Sequence, residues 1–423
     1  MTETEKLYTQ ILREEIVPAT GCTEPIAIAY CAAYARSVLR SMPTQVRIEV
    51  SGNILKNVKS VVVPNTGGLK GIPAAAAAGI VAGDETKKLQ VIAKIGTEKQ
   101  QQIAAYVANT PIDVSCAETD CVLYIRITVY SRTAYASVTI ANNHTNVVEV
   151  SRNGEILLSK PLVSQSEENL TDKNCLNFHD IYTYADTVDL DELRPLLDFQ
   201  IRCNSTIAEE GMAHPYGANI GKVLFDEEHN DVETEARAYA AAGSDARMSG
   251  CELPVAILCG SGNQGITASV PVIRYAKRYA IDQERLYRAL LMSDLLTIYQ
   301  KAGIGRLSAY CGAISAGCGA GAGIAYLLGG DERVVAHTLV NAMATISGTI
   351  CDGAKPSCAA KIAAAVESGI LGYRMFLKEQ QFRRGEGIVA PNVDATVKNI
   401  GILASIGMQE TDHVILQLMQ QCI

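Results

Sequence analysis

The sequence predicts an α+β protein: a large all-helical domain, and a smaller mixed α/β domain with a mostly antiparallel sheet inserted after the N-terminal helices. Three observations predict it. Near residue 45 the hydrophobic period drops to two, as in Gln45-Val46-Arg47-Ile48-Glu49-Val50. From about 190 to the end the apolar positions recur at helical spacing. Leu307 to Gly330 carries no charge but is mostly Gly, Ala and Ser, which suits a buried, tightly packed helix better than a membrane span.

The elements follow in order. Residues 5–16 and 24–40 read as helices, separated where Pro18 and Gly21 break the pattern, and Thr23 is a candidate N-cap. Strands are expected at 45–50, 60–63, 89–95, 111–117, 121–130, 133–141 and 146–150, with helices at 73–82 and 97–108. Arg152-Asn153-Gly154-Glu155 is a hairpin-turn signal. Residues 160–190 are polar and weakly patterned and read as a linker. Helices are then expected at 190–202, 205–210, 231–246, 265–277, 282–301, 306–327, 332–349, 357–377 and 394–420. The implied division is 1–44 as N-terminal helices folded onto the helical domain, 45–160 as the α/β domain, and 190–423 as the helical domain.

The 423 residues suffice for two or three domains, and 48% hydrophobic with 19% charged residues excludes a disordered chain. A net charge of −8, with no basic cluster, argues against nucleic acid as a partner. With no Trp and five Phe, the core must rest on small aliphatic residues. The charged N-terminal segment lacks the apolar stretch of a secretory signal, so a cytoplasmic location is expected. No membrane association is expected either, and a Gly/Ala-rich helical surface is compatible with a homodimer. In a reducing compartment the 13 Cys are core residues, metal ligands or reactive thiols rather than disulfides.

Four segments could carry chemistry. Cys311/Cys318 and Cys351/Cys358 are two pairs with a seven-residue step, offset by forty; buried core thiols would give the same pattern. Cys351-Asp352-Gly353-Ala354-Lys355-Pro356-Ser357-Cys358 is a turn holding two thiols, a carboxylate and an ammonium, and Lys355 is expected to favour the thiolate; capping of helix ends is the plainer role for Asp352 and Lys355. Cys22 lies at a helix start, where an anion is favoured. Cys259-Gly260-Ser261-Gly262-Asn263-Gln264-Gly265 is a Gly-rich loop opening a helix. It lacks the P-loop pattern and suits a carboxylate better than a nucleotide. Pro64-Asn65-Thr66-Gly67-Gly68 is a second, weaker loop of that kind. Among the six His, His214 is the one most loop-like.

Together, Ala19-Thr20-Gly21-Cys22-Thr23-Glu24-Pro25, Gly260 to Gly265, Ser308-Ala309-Tyr310-Cys311-Gly312 and Cys351 to Cys358 resemble, in order and over nearly the whole chain, the UPF0597 family. This is the L-cysteine desulfidase group, related to the alpha chain of iron–sulfur L-serine dehydratases. The resemblance implies a 4Fe–4S cluster held by three thiols, at Cys22, Cys311 and Cys351 with Cys358 in reserve, and one open iron. A C-terminal cysteine tail like that of the dehydratases is not expected, because Cys422 is penultimate. The implied reaction is α,β-elimination from L-cysteine to pyruvate, ammonia and hydrogen sulfide, or the matching reaction of L-serine. Ser261, Asn263 and Gln264, then Asn65 and Thr66, are the candidates for the substrate carboxylate. Lys355 and His214 are candidates for the base that takes the Cα proton. A non-catalytic iron–sulfur sensor is the alternative of another class, although no helix-turn-helix is evident.

Overall fold

The change of period at residue 45 marks a real change of architecture. A computed structural model describes residues 2–20, 23–119, 121, 123–162, 170–225, 231–305 and 308–421. In chain order its helices are α1 (Glu3–Glu15), α2 (Thr23–Leu39), α3 (Gly52–Val58), α4 (Gly71–Ala82), α5 (Thr97–Asn109), α6 (Phe178–Thr187), α7 (Arg194–Ala213) and α8 (Ile220–Leu224). They continue as α9 (Val232–Met248), α10 (Gly262–Arg278), α11 (Gln283–Ile304), α12 (Gly312–Leu327), α13 (Glu332–Ile346), α14 (Cys358–Leu377), α15 (Val393–Ile402) and α16 (Gln409–Gln421). The strands are β1 (Val17–Thr20), β2 (Gln45–Val50), β3 (Ile112–Cys116), β4 (Tyr124–Tyr130), β5 (Tyr135–Ala141), β6 (Val147–Arg152), β7 (Glu155–Ser159) and β8 (Pro254–Ile257).

Two units result. The helical unit comprises residues 1–20, 169–351 and 356–412; the α/β unit comprises 21–168, 352–355 and 413–423. The expected grouping of 1–44 is therefore divided. Helix α1 belongs to the helical unit, where Thr9 and Tyr184 hydroxyls meet at 2.7 Å. Helix α2 belongs to the α/β unit, because it is apolar around its whole circumference. Its Ala27, Ile28, Cys31 and Ala32 are buried against the sheet and α4.

In the α/β unit the six-stranded sheet runs β3-β2-β4-β5-β6-β7, antiparallel except for the β2–β3 pair. Alternation along β2 buries Val46, Ile48 and Val50. The β6–β7 hairpin turns through Asn153 (φ 51°) and Gly154 (φ 86°), as the Asn-Gly pair requires. Two expected strands are absent from the described residues. Residues 60–63 contribute only a single bridge, Val62 to Lys70, since Pro64 ends the run. Within 89–95, Leu89 and Gln90 close a 3₁₀ turn (Glu85–Gln90) in which Lys88 takes φ 50°, and the residues that follow form no strand.

In the helical unit, 190–202 and 205–210 merge into α7. Asn204, between the two expected helices, is buried and bonded to Ala256 and Ser269. The expected linker at 160–190 contains α6, capped by Asn177 and anchored by buried Phe178, Ile181 and Tyr184; its residues 163–169 lie outside the described ones. The 394–420 helix is divided by a π-helical turn at Leu403–Gly407. The expected helix from 306 begins only at Gly312, because Tyr310 pairs with Ile350 and Cys311 is extended.

Helix α12 is the hub of this unit, packed on α10, α11, α13 and α14 and buried along its length. A Cβ on Gly321 would stand 2.5 Å from the Gly369 Cα of α14, so the small residues exist for close helix approach. Among the described residues no helix is long and apolar enough to cross a membrane.

Candidate active site

The antiparallel bridge at Tyr310–Ile350 brings the last residue before α12 beside the segment that leads to α14. The Cys311 amide donates to the Thr349 carbonyl at 3.0 Å, and the Cys351 amide donates to the Ala309 carbonyl. As a result the Cys311 and Cys351 thiols lie within hydrogen-bonding reach of each other. That neighbour, first, and then burial hold the Cys311 thiol well above the ordinary thiol range, and Cys358 is close enough to act in the same direction. Cys311 is the N-cap of α12 and Cys358 the first residue of α14, so both stand where a helix favours negative charge. Cys318 is a plain core thiol inside α12.

One cation that feels these thiols is a residue that the sequence did not single out. Lys301, on the last turn of α11, is half-buried and feels the charges of Cys259, Cys351, Cys311 and Glu15. Burial lowers its pKa, and those four neighbours partly offset the shift. Its ammonium donates to the Gly305 carbonyl at 2.9 Å. Only tertiary structure could reveal Lys301, since it lies ten residues before Cys311 on another helix.

The Gly-rich loop joins β8, which pairs with β1, to α10. Cys259 takes φ 50° and Gly260 φ 75°, and Ser261 caps α10 without a side-chain cap bond. Gln264 reaches the N-terminus of α12: a Cβ on Gly312, the residue after Cys311, would stand 2.7 Å from the Gln264 Nε2. The loop and the thiol pair are thus one locality. A second residue missed in the sequence, Arg247 of α9, lies over Gly262 and donates to the Asn263 Oδ1 at 3.4 Å.

Other expected residues stand differently. Lys355 pairs with Asp352 and donates to the Gly353 carbonyl at 3.1 Å, within its own turn. His214 ends α7, is exposed, and contacts Glu210 at 2.9 Å. In the α/β unit, Asn65 donates to the Ile92 carbonyl at 3.1 Å and buried Thr66 to the Val63 carbonyl at 2.7 Å, so both are held by backbone carbonyls of that unit. Cys22 and Cys422 lie outside the described residues. Among the described residues no group of three or more His, Cys, Asp or Glu side chains is arranged to hold a metal ion. The paired Cys311 and Cys351 thiols are nonetheless soft ligands of the kind that hold iron–sulfur centres.

A family model described as serine dehydratase alpha chain matches residues 86–417. This chain belongs to the serine dehydratase alpha-chain family. Within that class it is similar to UPF0597 proteins over almost its whole length. The one from Desulfitobacterium hafniense is 55% identical over 416 residues, 98% of this chain and 97% of that protein. The one from Lachnoclostridium phytofermentans is 45% identical over 414 residues, 98% and 99% of the two chains. The one from Treponema denticola is 44% identical over 418 residues, 97% of each.

Proposed function

We propose that the protein is an iron–sulfur lyase that eliminates the β-heteroatom of a small amino acid, with L-cysteine as substrate and pyruvate, ammonia and hydrogen sulfide as products. The observation that carries this reading is the approach of the Cys311 and Cys351 thiols, with Cys358 near enough to act on Cys311, in a chain of the serine dehydratase alpha-chain family. Cys311 and Cys351 would hold a 4Fe–4S cluster, with Cys22 or Cys358 as third ligand. When bound, such a cluster with one open iron supplies a Lewis acid that stabilises charge on the departing sulfur or oxygen. Because iron binds thiolates rather than thiols, loading releases protons and is favoured by rising pH.

The chain's own residues do the rest. The α10 loop fixes the substrate's polar end, so that the Cα proton faces a base. Lys301 is that base: its amine feels the charges of Cys311 and Cys351, and burial moves it toward the neutral form that accepts a proton. The test is anaerobic purification with iron and sulfide analysis, followed by assays of sulfide from L-cysteine and pyruvate from L-serine. About four irons per chain by the cluster argument, with sulfide release, is the expected outcome. Pyruvate from L-serine alone would transfer the reading to a dehydratase. Iron-free protein that turns over neither amino acid would end it.

A further inference from the structure

The start of α10 has an electrostatic feature that the thiol chemistry leaves unexplained. A helix N-terminus carries partial positive charge, so a neighbouring cation is disfavoured unless an anion joins them. Arg247 stands there nonetheless. Its guanidinium takes the space over Gly262, where a Cβ would meet the Arg247 Nε at 2.3 Å. It is half-buried, its Nε is buried without a hydrogen-bond partner, and its one recorded bond is the 3.4 Å donation to the Asn263 Oδ1. Among the described residues no carboxylate forms an ion pair with it.

One turn along, Gln264 is only 7% exposed, and its Oε1 accepts no hydrogen bond. A buried acceptor without a donor is destabilising, so the position is maintained against its own cost. The amide lies against Gly312, one residue from Cys311. The locality therefore pairs an unneutralised positive end with an acceptor that lacks a donor. That is the complement of an amino-acid zwitterion.

Building on the lyase reading, we propose that Arg247 and the α10 N-terminus bind the substrate α-carboxylate while the Gln264 Oε1 accepts a hydrogen bond from its α-ammonium. This gives Gln264 a role opposite in charge to the carboxylate contact that its Gly-rich loop suggests. It also makes Arg247 the residue that selects amino acids over amines.

Binding of two unreactive probes to the full chain tests this by calorimetry. L-alanine carries both charged groups and no leaving group; propionate lacks the ammonium. In Arg247→Gln both probes should bind about 10- to 100-fold more weakly, the range for a charge-assisted hydrogen bond. In Gln264→Leu, L-alanine should weaken while propionate does not. Arg247→Lys should recover part of the loss, and circular dichroism and Tm report whether each variant is folded. Unchanged affinity in folded Arg247→Gln, equal weakening of both probes in Gln264→Leu, or no binding of L-alanine to the parent overturns the proposal. Iron content and sulfide release are read separately. Arg247-dependent alanine binding without elimination would sink the lyase reading alone, and elimination unaffected by Arg247→Gln would sink this one alone.

Discussion

Two Gly-rich loops, one in each unit, look alike in the sequence and behave differently in the structure. Both precede a helix and both use left-handed backbone, at Asn65, Gly67 and Gly68 in one and at Cys259 and Gly260 in the other. In the loop before α4, the polar side chains bind backbone carbonyls within the unit, so the loop is complete without a ligand. In the loop before α10, Gln264 keeps an unbonded buried oxygen and Arg247 has no carboxylate partner among the described residues. The contrast extends to the units. Of the 13 buried side-chain N and O atoms without a partner among the described residues, only those of His144 and Arg152 fall in the α/β unit. Unsatisfied polar groups are costly, so their concentration in one unit marks where function opposes stability.

The largest effect that could break this comparison is at the thiols. Cys311→Ala and Cys351→Ala should each lose iron and at least about a thousandfold in elimination rate, because Lewis-acid assistance supplies several kcal/mol. Retention of iron in either variant would remove the helical unit's claim to the chemistry. Next is Lys301→Met, which should lower kcat by about 10²- to 10⁴-fold, the usual contribution of a general base. Its iron content should stay normal. A variant with parental kcat would leave Lys301 without a role.

Stability against pH sharpens the contrast further. Burial raises the Asp294 carboxyl from 3.8 to about 7, although Gln200 donates to it. A raised carboxyl pKa means that folding opposes ionisation. The penalty is absent below about pH 4, grows as pH rises to about 7 and is constant above. At about 1.4 kcal/mol per unit it approaches about 4 kcal/mol at full ionisation. Asp294→Asn should therefore be more stable than the parent at pH 8, with a smaller difference at pH 5, as read from urea midpoints. An unchanged pH slope would contradict that environment for Asp294. The smallest effect belongs to the other loop. Thr66→Val leaves the buried Val63 carbonyl without its 2.7 Å donor and should cost about 1–3 kcal/mol of stability with no change in L-alanine affinity. Weaker binding would mean that the α4 loop also holds ligand.

Much of the fold was legible in local pattern. The two-residue alternation of β2, the Asn153-Gly154 turn and the long runs of α10, α11 and α14 follow from the chain within a few residues of each position. The misread places are those where distant residues decide. Asn204 continues α7 because β8 supplies its partners, and Tyr310 ends extended because Ile350 pairs with it. The seven-residue thiol spacing gave Cys318 and Cys358 equal standing. Only packing separates the first, inside α12, from the second, at the start of α14.

By itself the sequence determined the α+β class, the position of the sheet and the family motifs with their thiols. Each of these depends on short-range periodicity, turn chemistry or residue identity. Tertiary structure alone decided that Cys311 meets Cys351, that Lys301 feels their charge and that Arg247 lies over the start of α10. Those groups come from separate segments of the chain, and hydrogen-bond reach and charge act through space rather than along it.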